Sequence, residues 1–226
     1  GAMHPNRISR CLDAPGVLCI GSGDGSYELS ALLSGAERDS LTVTFYEDET
    51  RLQQRYATFA ANVLVLRALG ASVHFRVDAT RLSETLARAG GRPSGYRTVR
   101  FNFPQCGCGF PGSAVWFADH VELLGKFFRS AAGLLQEACP EGRVVLALMD
   151  RAPYCELPCA QLAEDAGLQL HSREKFDGGY LGLYKHRMSW FDKVVKADED
   201  STCHIFTLAP KGRDCVDVVS TPTRPE

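Results

Sequence analysis

The sequence predicts an α/β fold: a doubly wound, mostly parallel seven-stranded sheet with helices on both faces. Three observations support this prediction. Short β-like runs alternate with amphipathic helical segments, the first run ends in a glycine turn that opens a helix, and no obvious helix separates the last two runs. The last feature favours a closing C-terminal antiparallel hairpin. The expected strands cover residues 17–21, 41–46, 72–77, 98–101, 143–148, 169–176 and 203–208.

Apolar residues at helical spacing predict two long helices between these strands. The first helix, which Gly70 closes, carries on one face Leu52, Tyr56, Phe59, Val63 and Leu66. The second helix, which Pro140 and Gly142 end, carries Phe117, Val121, Leu124, Phe128, Ala131 and Leu135. A shorter helix is expected over residues 156–166.

The first strand leads into a glycine turn, and this turn is the most informative segment of the chain. Gly21 and Gly23 allow positive φ and leave the backbone open to a ligand, while the helix that follows offers free N–H groups. A dinucleotide site would have a third glycine where Ser26 stands. Asp24 adds a negative charge that suits the aminocarboxypropyl arm of S-adenosylmethionine better than a pyrophosphate. A tight structural turn is the alternative interpretation. The residues expected at this cofactor are Gly21, Ser22, Gly23 and Asp24.

Carboxylates also follow the second and third strands, at the edge of the sheet where ligands of such folds bind. Glu47 is expected to accept hydrogen bonds from both ribose hydroxyls, whereas Asp48 and Glu49 are expected to cap the next helix. Asp78 suits either the adenine amino group or a helix N-cap. Because three acids follow three consecutive strands, they indicate a nucleoside-containing cofactor more strongly together than singly.

The fourth strand ends in the segment Asn102-Phe103-Pro104-Gln105. Methyl transfer to a planar nitrogen requires an acceptor in the plane of the ring and an apolar wall on its face. Asn102 or a backbone carbonyl can supply the acceptor and Phe103 the wall, so Asn102, Phe103 and Pro104 are the expected catalytic residues. A strand exit made rigid by proline is the alternative interpretation. The glycine-rich run 106–112 is expected to form a lid over the site.

Composition places the chain among globular proteins. It has 226 residues, of which 45% are hydrophobic and 23% charged. A single domain is expected over residues 16–208, after a cloning remnant and extension at 1–15 and before a flexible tail at 209–226. The net charge of −2 argues against a strongly basic, non-specific nucleic-acid binder. No apolar run approaches the roughly 20 residues that span a bilayer, so no membrane partner is expected.

The chain has nine cysteines, an odd number, and this usage indicates a reducing intracellular compartment. Two pairs, Cys106-x-Cys108 and Cys155-x3-Cys159, raise the possibility of zinc. Neither pair has the usual two-residue spacing, and no matching histidine pair follows. The sequence therefore predicts no metal.

Four motifs together resemble the Rossmann-like domain of the eukaryotic large-subunit rRNA (uridine-N3)-methyltransferases. They are Gly21-Ser-Gly-Asp-Gly-Ser-Tyr, Val77-Asp-Ala-Thr, Phe101-Asn-Phe-Pro and Tyr184-Lys-His-Arg. The resemblance spans residues 16–208. It implies a class I S-adenosylmethionine-dependent methyltransferase fold, S-adenosylmethionine as cofactor, and methylation of a uridine imide nitrogen in ribosomal RNA. It also implies a role in ribosome biogenesis, with rRNA or a pre-ribosomal particle as partner. The implied location is the nucleolus, with the mitochondrion and cytoplasm as alternatives.

Four positions depart from the pattern of this family. Ser22 stands in place of glutamate, Gly25 of phenylalanine, Gln105 of histidine and Met149 of lysine. Because glutamine cannot accept the proton that a uridine N3 must lose, cofactor binding is better supported than catalysis. One alternative is therefore a catalytically inactive ribosome-assembly factor that retains the fold. A nicotinamide-dependent oxidoreductase is a further alternative, which the missing third glycine disfavours.

The segment 178–202 is the expected nucleic-acid contact, because cations and aromatic residues are interleaved in it. These residues are Tyr180, Tyr184, Lys185, His186, Arg187, Trp190, Phe191, Lys193 and Lys196. A solvated loop with a few anchoring aromatics explains the same residues. Basic tails are absent from the sequence, so a protein partner that presents the RNA is also considered.

Overall fold

In the described part of the chain, seven strands form one sheet, and the last of them lies inside the sheet rather than at its edge. The computed structural model describes residues 16–35, 41–93, 96–138, 142–176, 184 and 201–209. The strands lie in the order β3-β2-β1-β4-β5-β7-β6. They are β1 (Val17–Ile20), β2 (Leu41–Thr44), β3 (Ser72–His74), β4 (Thr98–Asn102), β5 (Arg143–Met149), β6 (Leu168–Lys175) and β7 (Ser201–Leu208).

Strands β1 to β5 pair in parallel, whereas β7 runs antiparallel to both of its neighbours, β5 and β6. The predicted C-terminal antiparallel pair is therefore confirmed. The pairing of β5 with β7 extends without interruption from Arg143 opposite Thr207 to Met149 opposite Ser201. All of the predicted strands are present, and their ends differ from the predicted ends by no more than three residues.

Helices connect the strands and cover both faces of the sheet. They are α1 (Ser26–Leu33), α2 (Glu49–Arg55), α3 (Phe59–Ala68), α4 (Leu82–Arg88), α5 (Ala114–Ala138) and α6 (Cys159–Glu164), with 3₁₀ turns at Ala79–Arg81 and Tyr154–Glu156. Two hydrophobic clusters result, because successive residues of a strand point to opposite faces. Val17 and Cys19 pack with α1, α2 and α3, whereas Leu18 and Ile20 pack with α4, α5 and α6.

The first predicted long helix is two helices, α2 and α3, so the prediction of a single helix is wrong. Tyr56 has extended dihedrals (φ −117°, ψ 116°), and the chain leaves the helix there. All the residues of the predicted apolar stripe are nevertheless buried. Contacts to the β1–α1 turn stabilise the start of α3, since Thr58 Oγ1 donates to Asp24 Oδ2 at 3.3 Å and Asn62 Nδ2 donates to the Asp24 carbonyl at 2.9 Å. Periodicity could not reveal a break that keeps the apolar stripe intact.

The shorter helix predicted over residues 156–166 is present only as α6. Leu157 precedes a proline and has an extended ψ of 130°. A residue before proline avoids helical dihedrals because the proline ring would collide with it. The α-helix therefore begins only at Cys159, after the 3₁₀ turn.

The predicted ends of the domain are partly described. Ala209, where a flexible tail was expected to begin, donates its backbone N–H to the Gly167 carbonyl at 3.0 Å. Residues 1–15 and 210–226 lie outside the described residues, so the domain limits stay predictions. In the described part of the chain, no helix combines the length and the apolar character that crossing a bilayer requires.

Candidate cofactor and substrate site

A cavity of about 580 Å³ opens at the carboxyl ends of β1, β2 and β4. The strand order reverses between β1 and β4, and open α/β sheets bind their ligands at this switch point. The volume is within the range of small-molecule sites. The residues that line the cavity include Gly21, Gly23, Glu47, Arg55, Tyr56, Asp78, Thr80, Phe101, Phe103, Gln105, Cys106, Cys108, Asp119, Glu122 and Lys126.

The turn between β1 and α1 gives this cavity a wall made of backbone. Gly21 lines the cavity with a φ of +61°. A Cβ at this position would lie 3.0 Å from the edge of the Phe101 ring, so a side chain would both strain the backbone and collide. The Ser22 N–H donates to the Thr44 carbonyl at 3.0 Å, which ties the turn to β2. The glycine turn found in the sequence therefore forms part of the site.

Asp24 is buried, and its carboxylate holds the turn together. Oδ1 accepts from the Ser26 N–H at 3.0 Å and from the Ser26 hydroxyl at 2.6 Å, while Oδ2 accepts from Thr58. These bonds fix the start of α1 and connect it to α3. Neither Ser22 nor Asp24 lines the cavity. A direct contact of these two residues with a cofactor stays a prediction.

Glu47 lines the cavity directly after β2, where the sequence placed it. Arg55 of α2 donates to both carboxylate oxygens, to Oε1 at 2.8 Å and also to Oε2. The hydrogen bond to Glu47 raises the pKa of Arg55 above its ordinary value. A bidentate arginine fixes the plane of the carboxylate and still leaves each oxygen a lone pair for a ligand hydroxyl.

Two neighbouring acids, Asp48 and Asp78, act as caps. Asp48 accepts from the Arg51 N–H at 3.0 Å at the start of α2, as predicted, and does not line the cavity. Asp78 accepts from the Thr80 N–H at 2.8 Å and from its hydroxyl at 2.7 Å. It also lines the cavity. Asp78 therefore combines the two positions, cap and cavity wall, that the sequence left as alternatives.

Phe103 is the member of the Asn-Phe-Pro turn that reaches the cavity. Its φ of +50° is uncommon for a bulky residue, and its N–H donates to the Ala147 carbonyl at 2.9 Å. Its ring packs edge-on against Phe176, with centroids 4.9 Å apart. Asn102 and Pro104 flank Phe103 in the chain but do not line the cavity. The Asn102 Oδ1 accepts from Arg100 at 3.5 Å.

His120 of α5 supports this turn, a role that sequence reasoning missed. The ring lies against Trp116, with centroids 3.9 Å apart. Nδ1 is 3.0 Å from the Trp116 carbonyl oxygen and Nε2 is 3.3 Å from that of Pro104. Burial lowers the pKa of His120, which favours a neutral ring with one N–H for these two acceptors. A histidine within the apolar face of a predicted helix was the available signal.

Comparison with known sequences decides the family. The model of the BMT5-like family, described as rRNA (uridine-N3-)-methyltransferase BTM5-like, matches residues 18–188. This chain belongs to the BMT5-like family. The resemblance carried by the four sequence motifs is thereby confirmed, and the match includes every residue named above as lining the cavity.

Several proteins are similar to this member of the BMT5-like family. The 25S rRNA (uridine(2634)-N(3))-methyltransferase of Saccharomyces cerevisiae is 26% identical, with 84% of this chain and 71% of the yeast protein covered. The ferredoxin-fold anticodon-binding domain-containing protein 1 homolog of Mus musculus is 34% identical, with 54% of this chain and 18% of the mouse protein covered. The chain thus spans most of the yeast relative but less than a fifth of the mouse one.

Solved structures confirm the class I methyltransferase fold. The 16S rRNA methyltransferase KamB has a TM-score of 0.51 at 17% identity, covering 90% of this chain and 92% of KamB. The O-methyltransferase NcsB1, solved with S-adenosylmethionine, has a TM-score of 0.52 at 13% identity, covering 89% of this chain and 52% of NcsB1. At such identities the likeness concerns the fold alone.

The four positions that depart from the pattern implied by the sequence resemblance lie in different surroundings. Gln105 lines the cavity and donates through Nε2 to the Tyr154 hydroxyl at 3.3 Å. Gly25 has a φ of +76°, and a Cβ there would lie 3.1 Å from a methyl group of Leu66, so this turn has no room for phenylalanine. Met149 is buried at the end of β5. Of the four, Gln105 alone is in the cavity wall.

Of the predicted nucleic-acid segment, residues 178–202, the structure describes Tyr184, Ser201 and Thr202. Its ring packs edge-on against Tyr27 at 5.3 Å and against Phe176 at 6.0 Å between centroids. Tyr184 therefore anchors the segment on the protein core. This agrees with the alternative interpretation of the segment as a solvated loop with a few anchoring aromatic residues. The cationic residues of the segment lie outside the described part of the chain.

Glu28 in the first turn of α1 is a buried acid that sequence reasoning missed. Its relative exposure is 2%, and within the described structure its Oε2 has no hydrogen-bond partner. Burial raises the pKa of the Glu28 carboxyl to about 7, although its backbone hydrogen bond and the charge of Arg100 act in the opposite direction. A glutamate in a short helix whose other residues are all uncharged was the available signal.

We expect the Glu28→Gln variant to gain stability relative to the unmodified protein as pH rises. In the unfolded chain Glu28 ionises near pH 4.5, whereas in the folded chain it keeps its proton until about pH 7. The folded state therefore binds more protons between these values, and the free energy of unfolding falls with rising pH by up to about 3 kcal/mol. Melting temperatures at roughly pH 5 and pH 8 measure the effect. The exposed Glu164→Gln is the control, and an equal pH response of both variants would contradict the expectation.

Proposed function

We propose that this chain transfers a methyl group from S-adenosylmethionine to N3 of a uridine in large-subunit ribosomal RNA. One observation carries the proposal: Gly21, Glu47 and Asp78, expected at the cofactor, and Phe103, expected at the target base, line a single cavity. Membership of a family described as rRNA (uridine-N3-)-methyltransferase supports this reaction and this class of substrate.

The cavity fits S-adenosylmethionine in its size and in the chemistry of its wall. Gly21 offers backbone without a side chain, Glu47 an oriented carboxylate for vicinal hydroxyls, and Asp78 an acceptor for an adenine amino group. When bound, this cofactor supplies an electrophilic methyl group on a sulfonium. We assign direct contacts to Gly21, Gly23, Glu47 and Asp78, which line the cavity. We assign to Asp24 the shaping of the turn, and direct contacts of Ser22 and Asp24 with the cofactor stay predictions.

The target base would lie against the aromatic part of the wall. Phe101 and Phe103 provide apolar surface for a flat ring. Because the Gln105 amide donates through Nε2 to Tyr154, its Oε1 is left to accept the imide N–H of a uracil. Asn102, whose Oδ1 accepts from Arg100, keeps its predicted role as an acceptor for the base, with Pro104 after Phe103, although neither Asn102 nor Pro104 lines the cavity.

The imide proton has to leave before or during methyl transfer. Gln105 can orient the N3–H group but cannot remove its proton, since a carboxamide is not a base near neutral pH. We therefore expect the reaction to depend on ionisation of the uridine. The same reasoning supports the rival function, a ribosome-assembly factor that binds cofactor and RNA without catalysis.

The RNA contact, the partner and the location are parts of the same proposal. We assign RNA binding to the cationic residues of segment 178–202, with Tyr184 as their anchor on the core. Pre-ribosomal RNA, presented with or without a partner protein, is the proposed substrate. A substrate of this kind would place the protein in the nucleolus.

The cofactor assignment is tested by calorimetric titration with S-adenosylmethionine, S-adenosylhomocysteine and NADH. We expect the first two to bind, and Glu47→Gln to weaken both by about tenfold or more, since a hydrogen bond to a charged group is lost. Asp48→Asn is the matched control, because Asp48 is the neighbouring acid, caps α2 and does not line the cavity. Binding of NADH alone, or equal loss in both variants, would refute the assignment.

Catalysis is tested with unmodified large-subunit rRNA and nucleoside mass spectrometry. We expect methyluridine to form, and Gln105→His to raise the rate at neutral pH by roughly tenfold or more, because imidazole can accept the N3 proton. Gln105→Asn alters the same side chain without supplying a base and controls for changed packing. Absence of methyluridine with wild type and Gln105→His, despite cofactor and RNA binding, would favour the inactive assembly factor.

A further inference from the structure

The glycine-rich loop after Pro104 and helix α5 bring two thiols and a carboxylate together. Cys106 and Cys108 belong to the loop, and Asp119 belongs to α5. Their sulfur and carboxylate oxygen atoms all lie within 4.8 Å of one another. Cys108 Sγ donates to Asp119 Oδ2 at 2.7 Å. The sequence pattern shows the two cysteines but no further ligand, because the next helix supplies Asp119.

The loop is folded so that both thiols converge. Cys106 Sγ is 3.5 Å from the Cys108 carbonyl oxygen, and Cys108 Sγ is 3.7 Å from the Cys106 carbonyl oxygen. Both cysteines are free thiols. A Cβ on Gly109 would lie 3.0 Å from the backbone nitrogen of Trp116, so the loop packs closely on the first turn of α5. This packing holds the thiols near Asp119.

Two thiolates and one carboxylate form a donor set that binds zinc in preference to magnesium or calcium. We propose that Cys106, Cys108 and Asp119 bind a zinc ion at the wall of the cavity. Three protein ligands leave one position of a tetrahedron for water or for a ligand in the cavity, the arrangement typical of catalytic rather than structural zinc. This proposal departs from the sequence-based expectation of no metal.

The location of the site suggests what the ion would do. All three ligands line the cavity that contains Gln105. A zinc ion polarises a carbonyl oxygen that enters its open position. At this wall it would make the imide N–H of a bound uracil more acidic and would so offset the lack of a base at Gln105. This use of the ion rests on the proposed function, whereas the existence of the site does not.

The other cysteine pair considered for zinc is arranged differently. Cys155 is exposed, whereas Cys159 is buried in the apolar cluster of α5 and α6. Neither Cys155 nor Cys159 belongs to a group of three metal-ligating side chains in the described part of the chain. Cys155 therefore serves as a control thiol.

The experiment measures zinc in the full chain, reduced with a phosphine, equilibrated with zinc chloride and then dialysed against a weak chelator. We expect about one zinc per wild-type chain, and loss of most of it in Cys108→Ser and Asp119→Asn. Cys155→Ser should keep its zinc. Circular dichroism checks that each variant is folded, which the exposed position of Cys108 favours.

Three results would overturn the site: wild type without zinc, variants Cys108→Ser and Asp119→Asn that keep it, or Cys155→Ser that loses as much as they do. Methyluridine formation is assayed separately on the same samples. Zinc binding without methyl transfer would uphold the site and count against the proposed function. Methyl transfer by wild-type protein that holds no zinc would refute the zinc site and support the proposed function.

Discussion

The buried carboxylate of Asp24 is the interaction on which the cavity depends. A buried charge is costly unless it is hydrogen-bonded, and here Ser26 and Thr58 supply three donors. These bonds connect the turn after β1 to the start of α1 and to the start of α3. The same turn exposes the backbone of Gly21 to the cavity. Because α2 and α3 are separate helices, Thr58 and Asn62 can meet Asp24 while Arg55 of α2 meets Glu47. The Asp24 carboxylate thereby connects α1, which follows β1, to α3, which follows β2.

Three polar side chains in the wall of the cavity are each held by a second side chain. Arg55 orients Glu47, Thr80 orients Asp78, and Tyr154 orients Gln105. The Asn-Phe-Pro turn is likewise supported, by His120 at the Pro104 carbonyl and by Ala147 at the Phe103 N–H. Side chains that are already oriented lose less entropy when a ligand binds. The uncommon φ of Phe103 belongs to this pattern, because strained residues persist where surrounding contacts hold them.

The positions that depart from the pattern implied by the sequence resemblance can be explained by their surroundings. Gly25 faces Leu66 across a narrow gap, so a glycine at this position suits the close packing of α1 on α3. Met149 is buried in the cluster of α1, α2 and α3, where an apolar side chain is suited. Gln105 differs from these, because it lies in the cavity wall and changes the chemistry available there. The functional question about this chain is therefore concentrated at Gln105 and at the thiols and carboxylate beside it.

The sequence by itself determined the strands, the helix after the glycine turn, the long helix α5, the glycine turn itself and the positions of Glu47 and Asp78. These features depend on backbone dihedrals and on the repeat of apolar side chains every two residues in strands or every 3.6 residues in helices. A short segment of sequence contains all of this information. The tertiary structure alone decided the break at Tyr56, the burial of Glu28, the support of Pro104 by His120 and the approach of Asp119 to Cys108. Each of these depends on packing between segments that are separate in the chain, and a periodic pattern carries no information about which distant residues will meet.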